Sequence, residues 1–271
     1  MTKRWIAPAL GSAVLIAAGF TVAQAEQPVA PKASPMAGFK FEKGYLAPAD
    51  LPDSVALLPP PPAPGSAAEA RDVEASKAAL ALRGGPRWTL ATADADLFTP
   101  RAAATMSCAA GHALGPTQTP LTEHLLRRAF SDLAISTRGA KAKYQRQRPF
   151  MVNNQPMCTP DFDAVLRHDG SYPSGHSAIG YGWGLILAEI LPNRATALAS
   201  RGRAFGDSRR VCNVHWLSDV EEGRIAGAAT LARLHAEPAF QADLAAAAKE
   251  LAADTSTPSG CEAEAAALAL H

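Results

Sequence analysis

Apolar residues recur along most of this chain at steps of three and four, the period of a helix face, and almost nowhere in the strict alternation of a half-buried strand. The alanine-rich stretch from Ser66 to Leu82 reads as a helix, as do Asp94 to about His112 and Thr117 to about Ser136. Ser177 to Leu191 is apolar almost all round and predicts a buried central helix, in which Gly180, Gly182 and Gly184 allow close backbone approach. It is too short, and too closely followed by Arg194, Arg201 and Arg203, to cross a membrane. Pro192 breaks the chain before a second helix, Arg194 to about Phe205. A third is predicted from His215 to His235, where Leu217, Val220, Arg224, Ala228, Leu231 and Leu234 share one face. A last amphipathic stretch spans Pro238 to Ala252. No internal repeat and no break between domains appears, so the expectation is an all-α, single-domain helical bundle over residues 66–252 with a C-terminal tail over 253–271.

The two ends differ from this body. Met1-Thr2-Lys3-Arg4, an apolar run from Trp5 to Val22 and the sequence Ala23-Gln24-Ala25 have the form of a signal peptide over residues 1–25, which predicts export to the periplasm or beyond. The rival reading is a retained anchor, since the run of about 18 residues approaches spanning length. Residues 26–65 are rich in proline, including Pro59-Pro60-Pro61-Pro62, and read as an arm extended over the domain or left partly without order.

Charge narrows the range of partners. The chain carries 26 basic and 25 acidic residues, and cleavage would remove Lys3 and Arg4, leaving a net charge of about −1. That balance argues against nucleic acid as a partner, so clusters of arginine call for another explanation. Four cysteines, Cys108, Cys158, Cys212 and Cys261, form an even set suited to two disulfides in an oxidising compartment. Their spacing contains no CxxC and no Cys/His cluster, so no metal site is expected.

Three segments concentrate the chemistry: Lys141 to Pro149, Gly170 to Ser177 and Ser208 to Asp219. In the third, His215 and Asp219 lie four residues apart on the first turn of a predicted helix. The carboxylate can therefore hold the Nδ1 proton and leave Nε2 bare to attack phosphorus. In the second, Pro173 and Gly175 shape a turn whose backbone N–H groups can meet a phosphate, and His176 is placed to protonate a leaving oxygen. Lys141, Arg148 and Arg209 would neutralise the nonbridging oxygens. Lys143, Arg146 and Arg210 read as solvated neighbours or helpers.

At these residues the sequence resembles the bacterial class A non-specific acid phosphatases, within the type 2 phosphatidic acid phosphatase and vanadium haloperoxidase superfamily. The pattern K-x6-R-P, P-S-G-H, S-R-x5-H-x3-D is present as Lys141, Arg148, Pro149; Pro173, Ser174, Gly175, His176; and Ser208, Arg209, His215, Asp219. The stretches Asp53 to Pro62 and Val211 to Asp219 are also similar. The resemblance implies a helical phosphoric monoester hydrolase acting on many small phosphate monoesters through a phosphohistidine. It assigns His215 as nucleophile, Asp219 as its orienter and His176 as acid then base, with Lys141, Arg148, Ser174, Gly175 and Arg209 as phosphate binders. It further implies no metal or other cofactor, no membrane association after cleavage, assembly as a homo-oligomer, and a disulfide between Cys158 and Cys212, which leaves Cys108 to pair with Cys261. The physiological substrate and any phosphate transfer to alcohols stay open. The alternatives are a vanadate-dependent haloperoxidase, or a periplasmic oxyanion-binding protein without catalysis.

Overall fold

The computed structural model describes residues 1–2 and 41–270, so the predicted signal peptide lies almost wholly outside the described residues, as does the first part of the arm. Every regular element among them is helical: α1 (Ser54–Leu57), α2 (Ala67–Leu80), α3 (Pro86–Asp94), α4 (Ser107–Ala110), α5 (Pro120–Ile135), α6 (Arg138–Tyr144), α7 (Pro149–Asn153), α8 (Asp163–Leu166), α9 (Gly175–Ile190), α10 (Ala195–Val211), α11 (Leu217–Leu234), α12 (Pro238–Ala253) and α13 (Cys261–Leu268), with one short 3-10 turn before α1 and three between later helices. No described helix is long and apolar enough to cross a membrane.

The fold is built around α9. It packs against α10, α11 and α5, and α12 covers α5 from outside. Its all-round apolar sequence demands such a position, since every face must be shielded from water. Trp183, fully buried at its middle, donates its indole N–H to the Leu126 carbonyl at 2.9 Å and packs beside Phe130 and Phe205. α10 approaches closely: a Cβ on Gly184 would lie 2.6 Å from the Leu198 carbonyl oxygen and one on Gly202 2.7 Å from that of Gly180. Glycine at both positions brings the backbone that carries His176 against the backbone that carries Arg209.

Helix ends follow local rules. Pro86, Pro120, Pro149 and Pro238 each open a helix, where their missing N–H costs nothing. Ser66 and Ser174 cap α2 and α9 by accepting the N–H of Glu69 and Ser177.

Three expectations are corrected. Asp94 to His112 is not one helix: Asp96 accepts bonds from the N–H of Phe98 and Thr99 and from the Thr99 hydroxyl, and this local turn competes with helix. Only a 3-10 turn and α4 follow before Gly111, whose φ of 78° ends the segment. Helix α3 lies just upstream, where Gly85-Pro86 starts it. Second, the helix after Pro192 continues past Phe205 to Val211. Third, α11 begins at Leu217, so His215 stands before the helix rather than on its first turn.

A second apolar cluster of Ala91, Phe150, Met157, Val211 and Val214 surrounds the Cys158–Cys212 disulfide. It fastens the Arg148 loop to the His215 loop, with Phe150 N–H donating to the Asn213 carbonyl at 3.1 Å. Asn213 sits in the left-handed region at φ 61° and is bound by Asn153 and the Gln155 carbonyl. The other disulfide joins Cys108 to Cys261 and fixes α13 with a Cα–Cα distance of 5.4 Å.

Candidate active site

The helices bring the three chemical segments to one cavity of about 210 Å³, whose lining includes the polar Lys141, Arg148, His176, Arg209 and His215 and the apolar Leu97, Phe98, Phe130 and Phe162. Lys141 comes from the last turn of α6, Arg148 from the cap of α7, His176 from the first turn of α9 and Arg209 from the last turn of α10.

His215 is 3 % exposed and its two ring nitrogens are assigned by their neighbours. Nδ1 lies 3.3 Å from Asp219 Oδ2, a carboxylate oxygen that can only accept. Nε2 lies 3.0 Å from Arg148 Nη1, a guanidinium nitrogen that can only donate. The neutral ring therefore carries its proton on Nδ1 and a lone pair on Nε2, the state a nucleophile needs. Burial pushes the imidazole well below its usual range, and the charges of Arg148, Lys141 and Arg209 push it further. The fully buried Asp219 also accepts the Trp216 N–H at 2.8 Å, the Ser171 hydroxyl and an Arg146 N–H.

His176 faces the same cavity and stacks on Phe205. Its Nε2 is 3.2 Å from the Ala95 carbonyl oxygen, which fixes the proton on Nε2 in the neutral ring and makes Nδ1 the nitrogen that titrates. Burial, with Arg209 next, holds this imidazole well below its usual range too. Both shifts favour the neutral ring in the free protein.

The cations differ in what satisfies them. Lys141 Nζ donates to Asp169 Oδ2 at 3.0 Å and to the Gly170 carbonyl, and Arg148 donates to the same carboxylate oxygen at 2.8 Å. Arg209 is 2 % exposed, and its Nε and Nη1 have no hydrogen-bond partner among the described residues. A buried guanidinium keeps its charge and is costly without acceptors, so these donors mark where an oxyanion fits. Gly175 and His176, in the first turn of α9, add backbone N–H groups at the positive end of that helix. Ser174 is used differently: its N–H donates to the Asp219 carbonyl at 2.8 Å and its hydroxyl caps α9.

Burial, then Arg148, lowers the Lys141 ammonium to about 8, partly offset by Asp169. It is charged below that pH and neutral above. Inhibition by inorganic phosphate is therefore expected to weaken several-fold from about pH 7.5 to about pH 9.5, where the anion has already lost its second proton. An inhibition constant flat across that window would mean that Lys141 keeps its charge.

Sequence reasoning missed Ser171, Asp169 and Asp72, and read Arg146 as a solvated helper. Asp94 was missed as well: it pairs with Arg201 at 2.6 Å and accepts the Ser208 hydroxyl at 2.5 Å, next to Arg209. Ser171 alone carried a signal, lying inside the Gly170-to-His176 phrase.

A helical fold that sets a His–Asp pair and a second histidine against three cations defines a phosphoryl-transfer protein. Residues 125–240 match the PAP2 superfamily. The acid phosphatase of Zymomonas mobilis is 41% identical over 199 residues, covering 73% of this chain and 75% of that protein. The non-specific acid phosphatases of Salmonella typhimurium and Providencia stuartii are 41% and 38% identical, covering 83% and 84% of their own lengths and 76% and 77% of this chain. The chain belongs to the non-specific acid phosphatases of the PAP2 superfamily.

Proposed function

We propose that this protein hydrolyses a broad range of phosphate monoesters through a phosphohistidine on His215 Nε2. The observation that carries the assignment is the pairing of His215 Nε2, its lone pair fixed by Asp219 below, with the unpartnered donors of Arg209 in one cavity. The Nε2 lone pair forms the P–N bond while the P–O bond to the leaving group breaks. His176 Nδ1–H delivers a proton to the departing oxygen and then, as a base, takes one from water, whose oxygen attacks phosphorus. The P–N bond breaks, its electrons return to Nε2, and phosphate leaves. Lys141, Arg148 and Arg209, with the backbone N–H groups of Gly175 and His176, hold the nonbridging oxygens throughout. The apolar part of the cavity lining, in which Phe98 and Phe162 stack at 6.0 Å, accepts organic leaving groups of many shapes.

Acid conditions suit this cycle. His215 resists protonation because it is buried and three cations surround it, whereas a bound phosphate dianion raises His176 selectively by sitting against its Nδ1. Export to the periplasm, on the signal at residues 1–25, and assembly as a homo-oligomer belong to the same proposal.

Release of phosphate from p-nitrophenyl phosphate and from an alkyl phosphate, with and without EDTA, tests it. Equal rates with EDTA are expected, since the three cations supply the charge. His176→Ala is expected to slow phosphoenzyme formation from the alkyl ester by about 10²–10⁴-fold and from the nitrophenyl ester far less, because only the alkoxide needs a proton to depart. Equal losses would take His176 out of the acid role. Peroxide-dependent bromination without phosphate release would replace the function altogether.

A further inference from the structure

Asp219 does not meet His215 alone. Arg146, at the end of the turn that Gln145 makes at φ 44°, donates from Nη1 to Asp219 Oδ1 at 2.7 Å and from Nη2 to Asp72 Oδ2 at 2.7 Å. Asp72, from α2, is 1 % exposed and accepts the Ser218 N–H at 2.8 Å and the Ser218 hydroxyl at 2.6 Å. Ser218 in turn accepts from Arg146 Nη1 at 2.8 Å, and the guanidinium lies 5.4 Å from the Trp216 ring centroid. The result is a buried row of alternating charge, Asp72, Arg146, Asp219, ending at the neutral His215. Buried carboxylates are costly unless paired, and a single cation serves both of these. One oxygen of Asp219 is thereby tied to Arg146, and the other is left facing His215 Nδ1.

We propose that Arg146 and Asp72 are positioning residues for phosphoryl transfer, clamping Asp219 so that its second oxygen holds the Nδ1 proton of the nucleophile. The inference rests on the proposed role of His215. Neither residue touches the cavity, so their effect falls on the chemical step and not on phosphate binding. Lys141, Arg148, Arg209 and His176 face His215 from the other helices, Asp169 sits across Lys141 and Arg148, and Glu222 shares the Tyr172 surroundings with Asp219 and Arg146. Apart from Asp219, none of these side chains is hydrogen-bonded to Arg146 or Asp72, so shifts caused by the clamp can be read against them. Removing Arg146 takes a positive charge from beside Asp219 and should raise the His215 pKa; removing the charge of Asp72 should lower it.

The test is Arg146→Ala, Arg146→Lys and Asp72→Asn, each checked for fold by circular dichroism. Steady-state rates on p-nitrophenyl phosphate are compared with the titration of His215 followed by its ring ¹⁵N resonances. Arg146→Ala is expected to lower kcat by about 10- to 100-fold with KM within about twofold. It should move the His215 titration up by at least about half a pH unit, and Asp72→Asn should move it down. Arg146→Lys is expected to recover part of both effects. A purely structural role, such as Asp72 capping α11 through Ser218, predicts a lower fraction of active protein with the titration unmoved, and that result overturns the proposal. If Arg146→Ala does not fold, Asp72→Asn and Arg146→Lys carry the same decision. The titration needs no turnover, so an inactive wild type with opposite shifts would sink the phosphatase reading and leave the clamp, whereas an active wild type without shifts would sink the clamp alone.

Discussion

His215→Ala is expected to lower turnover by about 10⁵- to 10⁶-fold, the scale seen when a covalent nucleophile is removed from a preorganised site. No other side chain replaces it. His176 is held by the Ala95 carbonyl, and Asp219 lies fully buried beside the His215 ring. Lys141, Arg148 and Arg209 remain, so inorganic phosphate should still bind and inhibit any residual reaction. The fold should also survive, because Asp219 Oδ2 keeps the Trp216 N–H and the Ser171 hydroxyl when the imidazole is gone. In the wild type, rapid quenching with phosphorus-labelled substrate is expected to trap a phosphoenzyme that is labile in acid and stable in base, and the variant should carry none. Normal wild-type turnover with no trapped label would show that water attacks phosphorus directly.

The parts of this site that were legible in the sequence are those written in consecutive residues. Ser177 to Leu191 announces its burial because a helix apolar on all faces has only one place to go, and the three motif segments declare themselves by residue type and spacing. What stayed hidden depends on contacts distant in sequence. Asp72 meets Ser218 across 146 positions, and nothing in the alanine-rich stretch around it distinguishes that carboxylate from a solvated one. Arg146 was passed over for the complementary reason: an arginine in a basic run is ordinarily exposed, and only the approach of α2 and α11 turns it inward. The false helix from Asp94 to His112 has a local cause that composition hides, since Asp96 folds its side chain back onto three donors. Placing His215 on α11 failed because periodicity cannot tell a helix from the residue before its cap. The spacing to Asp219 nonetheless stayed productive, since the carboxylate at the third helical position reaches back over the N-cap residue Trp216 to both its N–H and the His215 ring.

Asp219→Asn is expected to retain phosphate affinity while lowering the rate by about 10⁴-fold, the loss found when a triad histidine is left in the wrong tautomer. The present geometry says why an amide cannot substitute. Every group around this carboxylate donates: Arg146 to Oδ1, and the Trp216 N–H, the Ser171 hydroxyl and His215 Nδ1–H to Oδ2. An asparagine offers one acceptor oxygen and an NH₂ that must face a donor on one side or the other. Arg146 is charged and close, so it takes the oxygen, and the NH₂ turns toward Trp216 and His215. The ring answers by accepting at Nδ1, which moves its own proton to Nε2, where it covers the lone pair that should attack phosphorus and meets the donating Arg148 Nη1. The cavity cations are untouched by this exchange, which separates the loss in kcat from binding. Measurement of kcat together with the phosphate inhibition constant decides the outcome: a rate loss under about tenfold would mean that Ser171, 3.4 Å from Nδ1, orients His215 without the carboxylate.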